Sequence, residues 1–416
     1  MSSGLRRGGG GNAVARTRPG RYRPGVGRTV TLVLVDAAGA VLGALPPVEV
    51  ELPWWPEAAD VVAATRERHG LDVHVLRLLT VDRPAQPGGH VTYLAQVFEP
   101  PGVPLAPADV DLAPHPLRAP YAVPGGPAAS VAWALAALGR DDVTPVQQRT
   151  WNLSMIWHFD AAGAPVAWLK QVPRMFAHEP AVLALLAGFE PALVPTVLAS
   201  DAPGRMLLDH VPGEDRYDAG EDFCAAVAAD WHPAQLHFAG RVDELLAAGV
   251  PDRRFDIDRL ARVAEPFLDE IDGLAAVLDA LPGRIAAIEA CGLPDTLVHG
   301  DLHPGNVRAD GESRVIVDWG DSTVAHPAYD ILRLCEGLEE PGKVLQEWAQ
   351  RWRSDVPGAD PERVLDLIRP VAELRSAALY AEFLDRIEPA EWPYHRADVP
   401  ARLSAAAAAA VRWWGD

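Results

Sequence analysis

Residues 297–322 read LVHGDLHPGNVRADGESRVIVDWGDS. Two β-branched, apolar runs, Leu297-Val298 and Val315-Ile316-Val317, frame a segment rich in turn formers and polar side chains. Each run is therefore expected to be a strand that hands the chain to a polar loop. The first loop carries His299, Asp301, His303 and Asn306, and the second opens with Asp318-Trp319-Gly320. Asn306 and Asp318 offer hard oxygen ligands of the kind Mg2+ prefers, and Asp301 can accept or orient the proton of an attacking hydroxyl. A lone His and Asp pair would read as a solvated surface loop; the whole string between two strands reads as a site.

The spacing from His299 through Asp301 to Asn306, followed by Asp318-Trp319-Gly320, matches the catalytic loop and metal-binding aspartate of protein kinases. His303 then offers a donor to the transferring phosphoryl oxygens. Phosphoryl transfer also needs a strand lysine and a helix carboxylate to hold the α- and β-phosphates. VAWLKQVP at 166–173 supplies Lys170, and HEPAVLALLAGF at 178–189 supplies Glu179. Pro180 fits the first helical position, so Glu179 also reads as a cap residue. No glycine-rich loop is present; TWNLSM at 150–155 stands in its place, with Asn152 and Ser154 as candidate phosphate caps by side chain or backbone. RMLLDHV at 205–211 would connect the lobes, its backbone from Asp209 to Val211 facing an adenine edge.

HGDLHPGN at 299–306 and HPAYDIL at 326–332 resemble the aminoglycoside phosphotransferase and choline kinase-like branch of the kinase fold, from about Thr144 to the C-terminus. The resemblance implies an α+β, two-lobed protein-kinase-like fold, with ATP or another nucleoside triphosphate and Mg2+ as cofactors. It also implies a structural role for Asp330, accepting backbone hydrogen bonds from the catalytic loop. Gly300 stands where many protein kinases carry arginine, and few residues separate Gly320 from His326. That leaves no room for a long activation segment, so a small-molecule hydroxyl acceptor is favoured over a protein.

Working outward, residues 1–28 are Gly- and Arg-rich and read as a disordered basic tail. Residues 29–100 form a small α/β unit: a hairpin over Thr29–Val50, a helix over Pro56–His69 ended by Gly70, and strands over Asp72–Val81 and His90–Phe98. This order, with its helix closing in RERHG, resembles the Nudix hydrolase fold. That family holds its metal with several helix glutamates, and only Glu67 matches here, so the resemblance implies an inactive unit serving packing or substrate access. Prolines recur over 101–127, which reads as a linker. Residues 128–211 read as the small lobe, with a helix over Ala128–Leu138 and three antiparallel strands from Thr144, and 212–416 as a helical large lobe.

The 416 residues carry a net charge of −20, which disfavours nucleic acid and anionic membranes as partners. No apolar run is long enough to span a bilayer and no signal peptide is evident, which predicts a cytoplasmic protein. Cys224, Cys291 and Cys335 have no paired spacing and read as buried thiols. No feature sets the oligomeric state. The acceptor is expected on helices between Gly213 and Leu293, where Glu214, Asp215, Asp218, Glu221, Asp222 and Asp230 would suit a polyamine. Asp230-Trp231-His232 and Trp413-Trp414 could line a pocket, though buried packing explains them as well. Two rival readings are a metallohydrolase using His299, Asp301, His303 and His326, and a kinase fold serving as a binding or scaffold module.

Overall fold

The computed structural model describes residues 27–201 and 204–415; the tail expected over 1–28 lies outside them except for Gly27 and Arg28. Arg28 corrects that boundary. It opens strand β1 (Arg28–Val35), and its buried guanidinium donates to the carbonyls of Leu52 (2.7 Å) and Glu57 (2.5 Å) and to Asp60 (3.2 Å). A buried charge persists only with such a set of acceptors, so this arginine is an anchor and not part of a tail.

In the N-terminal domain, β1 is followed by β2 (Val41–Ala44), β3 (Val48–Val50), α1 (Ala59–His69), β4 (Val73–Val81) and β5 (Gly89–Val97). The strands make a five-stranded sheet in the order β2-β1-β5-β4, with β3 also on β1. β1 and β5 run parallel, and the remaining pairs are antiparallel. Gly70, at φ 66°, ends α1 in the left-handed conformation that glycine adopts without strain. Glu67 lies exposed on that helix.

The stretch expected to be a linker, 101–127, is packed down. Ala106 exchanges backbone hydrogen bonds with Ala44, and Tyr121 is buried against Trp157 and Phe159 of the next lobe. The tyrosine hydroxyl donates to the Trp151 carbonyl at 3.0 Å. Proline repetition here marks an extended path across the surface; large apolar side chains every few residues fix it to that surface.

Helix α2 (Gly126–Leu138) leads into β6 (Thr144–Thr150), β7 (Met155–Ala161) and β8 (Ala164–Gln171). α3 (Glu179–Phe189), β9 (Val197–Asp201) and β10 (Arg205–Asp209) complete the small lobe. Its five strands pair antiparallel in the order β6-β7-β8-β10-β9. α3 begins at Glu179, after a 3₁₀ turn over 174–176 that follows Pro173.

The large lobe continues with β11 (Glu214–Asp215), α4 (Glu221–Ala239), α5 (Val242–Ala247), α6 (Ile257–Ala264) and α7 (Leu274–Glu289). β12 (Thr296–Val298), β13 (Val307–Asp310), β14 (Ser313–Ile316) and β15 (Thr323–Ala325) carry the quoted motif, and α8 (Ala328–Cys335), α9 (Gly342–Asp355), α10 (Pro361–Arg386) and α11 (Asp398–Trp413) close the chain. Trp231, Trp319, Trp348 and Trp352 are fully buried in its core. Trp231 donates its indole N–H to Asp330 and Trp414 to the Leu367 carbonyl, both at 2.8 Å, so these aromatics are packing. No helix among the described residues is long and apolar enough to cross a membrane.

The three parts are joined at one seam. The 54–58 turn of the N-terminal domain runs beside β6, with Thr150 N–H donating to the Pro56 carbonyl and Ala58 N–H to that of Gln148, each at 2.9 Å. From the other end of the chain, the 3₁₀ turn Pro389–Tyr394 inserts Tyr394 into the N-terminal core, edge-on to Trp55 at 5.7 Å.

Candidate active site

The floor of the cleft is the quoted motif. β12 is wholly buried and stops at His299. Gly300 follows at φ 87°, where an added Cβ would lie 2.2 Å from the Asp321 carbonyl oxygen, so only glycine fits. Asp330, in the first turn of α8, accepts from His299 N–H (2.9 Å) and Gly300 N–H (3.0 Å). It also accepts from the side chains of Trp231 and Gln235. The loop's entry is thus clamped by a carboxylate that is itself sealed from water.

Asp301 emerges from this clamp. Arg333, one turn further along α8 than Asp330, donates Nε to Asp301 Oδ1 at 2.7 Å. Asn306 donates Nδ2 to the Asp301 carbonyl at 3.0 Å and to Oδ2 at 3.4 Å. Burial pushes the Asp301 carboxyl up, but Arg333 and then His303 outweigh it and hold the group below the usual carboxylate range. Asp301 is therefore ionised at neutral pH. His303 accepts the Gly305 N–H on Nδ1 at 3.0 Å, which puts its own proton on Nε2, 3.6 Å from Asp301 Oδ2. Burial lowers the His303 pKa, so the ring is a neutral donor.

Val317 N–H donates to the Asn306 carbonyl at 2.9 Å, tying the first loop to the second. Asp318 then adopts φ 66°, a left-handed conformation costly for a residue with a Cβ, and this turns its carboxylate toward the small lobe. Lys170 Nζ, on β8, lies 2.6 Å from Asp318 Oδ1 and 2.7 Å from Glu179 Oε1. Burial alone would lower the lysine's pKa; the two carboxylates reverse that and raise it. Glu179 Oε1 also accepts Trp319 N–H at 3.0 Å, while Oε2 is buried with no partner among the described residues. Glu179 opens α3 and at the same time pairs with the lysine, so the cap alternative is replaced by an ion pair.

These residues fit a magnesium–nucleotide. Asp318 has a half-exposed side chain, and Asn306, whose backbone carbonyl is bonded to Val317 N–H, supplies an amide oxygen. Mg2+ is typically held by one or two such protein oxygens plus phosphates and water.

Other candidates do not join this cluster through their side chains. Ser154 accepts the Trp151 indole N–H at 2.9 Å, and Asn152 Oδ1 pairs with His395 Nε2 at 3.2 Å. Both side chains are buried, so the expectation is corrected for their side chains alone, which tie the TWNLSM turn to Trp151 and to the C-terminal segment. At the lobe connection, Asp209 N–H donates to the Thr196 carbonyl and is not free for an adenine edge, while the Val211 carbonyl accepts one bond from Arg308 and keeps a second lone pair. Asp215, Asp222 and Asp230 are paired with Arg308, Lys343 and Arg314, which leaves no free acidic wall formed by those three. The histidines of the metallohydrolase reading are dispersed. His299 uses both ring nitrogens on backbone groups, at the Val317 carbonyl and Asp301 N–H. His326 is buried in the core, where burial drives its pKa down to about 3. Among the described residues no group of three His, Cys, Asp or Glu could hold a metal.

Three residues at the site went unread in the sequence. Arg333 follows Asp330 by one helical turn, a spacing that could have revealed it. Asp321, just past the second loop, is pushed up to about 7 by burial and then by Asp301 and Asp318. Arg149, at the end of β6, is gripped by Glu57 of the N-terminal domain at 2.5 Å. Its charge also acts on Tyr217 and Asp318, and Tyr217 lies over the catalytic loop where a Cβ on Gly305 would be 2.0 Å away. Nothing near Arg149 in sequence points to residue 57.

The fold has similar proteins among solved structures. The chain is similar to a solved aminoglycoside 2'-phosphotransferase-IIIa in complex with GDP, at 15% identity and a TM-score of 0.50, over 69% of this chain and 98% of that one. A macrolide 2'-phosphotransferase from Brachybacterium faecium aligns at 20% identity and TM-score 0.48, over 66% and 98%. A choline/ethanolamine kinase family protein from Mesorhizobium loti aligns at 17% and 0.48, over 68% and 94%. No curated protein matches the sequence. Residues 163–367 match the sequence profile of the phosphotransferase enzyme family. The matched stretch runs from strand β8 into the start of α10, and over it the chain is similar to the phosphotransferase enzyme family.

Proposed function

We propose that the protein is an ATP- and Mg2+-dependent O-phosphotransferase acting on the hydroxyl of a small molecule. The observation that carries this reading is the chain of contacts from Glu179 through Lys170 to Asp318, together with the loop that pairs Asn306 with Asp301 and is tied to Val317, next to Asp318, by a backbone hydrogen bond. Asn306 and Asp318 would hold the metal, which when bound there neutralises charge on the phosphate oxygens. Lys170, positioned by Glu179, supplies a fixed ammonium to the phosphates. Asp301, kept ionised by Arg333, orients the acceptor hydroxyl and takes its proton as the new O–P bond forms and the bond to the leaving diphosphate breaks. His303, with its proton on Nε2, donates toward the transferred group. The N-terminal domain contributes by packing, through the seam at Arg149.

The first panel to test takes its compounds from the names of the similar proteins: aminoglycosides, macrolides and amino alcohols. A radiolabelled phosphate-transfer screen against that panel, with peptide antibiotics and sugars added, names it. Asp301→Asn is expected to lower turnover by about 10²–10⁴-fold while nucleotide binding persists; turnover equal to that of the unaltered protein would remove the assignment. A second reading, a kinase fold that binds without turning over, draws on the inward-facing Asn152 and Ser154 side chains. Magnesium-dependent ATP hydrolysis that disappears in Asp301→Asn excludes it.

A further inference from the structure

Arg149 is the penultimate residue of β6, just before the turn that stands where a glycine-rich loop is missing. β6 is bulged here: Gln147 pairs with Trp157 and Arg149 with Ile156, which leaves Gln148 as the extra residue. In a regular strand residues two apart share a face. Arg149 would then follow Gln147, whose amide reaches the backbone of Val75 in the N-terminal domain. The bulge re-aims it to the opposite face. Residues directly opposite one another on neighbouring strands point the same way. Arg149 pairs with Ile156, Ile156 with Lys170, and Lys170 with Met206. The arginine thus stands in one cross-strand row with Lys170, two strands or about 10 Å away, on the sheet face that carries the lysine into the cleft. Met155, Trp157 and Phe159 fill the other face, against α2. Glu57, bridged to Arg149 from the N-terminal domain, extends the row.

The guanidinium is only partly engaged. Nε (3.1 Å) and Nη2 (2.5 Å) both donate to Glu57 Oε1. Nη1 has no hydrogen-bond partner among the described residues and is not buried, and the side chain as a whole is 35% exposed. Its charge acts on Asp318 and on Tyr217, the ring that lies over Gly305 of the catalytic loop, so the arginine looks across the cleft at its floor. Of the two carboxylates named, Glu57 is bonded to the arginine itself and Asp318 to Lys170. The arrangement repeats that of the lysine: Glu179 holds Lys170 through Oε1, and Glu57 holds Arg149 through Oε1. Each carboxylate fixes a long cation at the cleft without covering all of its donors. A fixed guanidinium with an open N–H matches a phosphate oxygen. It offers at this end of the cleft the positive charge that the inward-turned Asn152 and Ser154 side chains do not.

We propose that Arg149 is a second phosphate-binding cation of the nucleotide cleft, acting at the end of β6 as Lys170 acts on β8, and that Glu57 is its positioning residue. The N-terminal domain then has a part in nucleotide binding beyond packing, because it supplies the carboxylate that aims the guanidinium. The choice of ligand, a nucleoside triphosphate, rests on the phosphotransferase reading.

The test is calorimetric titration of the full chain with the β,γ-imido analogue of ATP plus Mg2+, and separately with adenosine, which carries no phosphate. Arg149→Met is expected to weaken the analogue roughly tenfold or more and to leave adenosine unchanged. Arg149→Lys keeps a charge for Glu57 and should recover part of the loss; it carries the test should Arg149→Met fail to fold, with a weakened analogue and unchanged adenosine as the expected result. Glu57→Gln breaks the same seam but keeps the guanidinium, and should weaken the analogue only a few-fold. A purely structural seam predicts otherwise, namely equal losses in Arg149→Met and Glu57→Gln, or equal losses for analogue and adenosine, and either result overturns the proposal. Analogue binding by Arg149→Met as tight as by the unaltered protein overturns it too, and leaves the phosphotransferase reading standing. No binding of the analogue by the unaltered protein counts against both. A protein that transfers phosphate to no acceptor yet loses analogue affinity in Arg149→Met supports the phosphate contact and counts only against the phosphotransferase reading.

Discussion

The two walls of the cleft are built on different plans. The floor is held by its own motif: Asp330 clamps His299 and Gly300, Asn306 ties back to Asp301, and Val317 ties to Asn306, all within residues 299–330. The roof, at the end of β6 and the turn after it, is held from both ends of the chain, by Glu57 on Arg149 and by His395 on Asn152. Chemistry that depends on local contacts survives as a short string of residues; a surface that depends on distant ones leaves no string to read.

The comparison predicts a gradient of effects. Lys170→Met, which removes an ion pair joining the small lobe to the floor, should lower turnover on the order of a hundredfold and weaken nucleotide binding, measured by steady-state kinetics with varied ATP. Arg333→Gln leaves the floor's backbone clamp intact and removes the charge that holds Asp301 below its ordinary range. The acid limb of the kcat/KM profile should then move to higher pH, with roughly tenfold less activity near its foot. An unmoved limb would show that Arg333 only packs. Glu57→Gln should raise the nucleotide KM a few-fold with kcat little changed, as a half-exposed ion pair warrants; no change would make roof and floor equally self-contained. The smallest effect is expected at Glu391, on the segment that reaches the roof from the C-terminal side. Burial, and then Glu388, push its carboxyl up to about 8 from 4.5. A raised acid favours the folded state in its neutral form, so its contribution is complete below about 4.5 and lost as pH rises through about 8. Glu391→Gln should therefore gain a few degrees in Tm over the parent above pH 8 and nothing near pH 4.

The same distinction explains what the sequence disclosed. Strand and helix positions across 29–98 and 144–210 followed from alternation and from glycine stops such as Gly70 and Gly139, which depend on neighbours. The grouping of Asp301, Asn306, Asp318, Lys170 and Glu179 followed from a spacing that the fold preserves. Arg28 was misplaced because its acceptors lie at 52–60. Tyr121 hid among prolines that suggested a free path. Asn152 and Ser154 have the right chemistry for phosphates, but Trp151 and His395 take up their side chains.

Tyr394 belongs to the large lobe by position in the chain and to the N-terminal core by contact, where it meets Trp55 on one side and Trp151 on the other. A chain shortened to start at the small lobe would bare this aromatic seam to water and release Arg149 at the same stroke. The N-terminal domain is thus not a detachable accessory: exchanging it for another would require rewriting residues 55, 57, 149, 151 and 394 together.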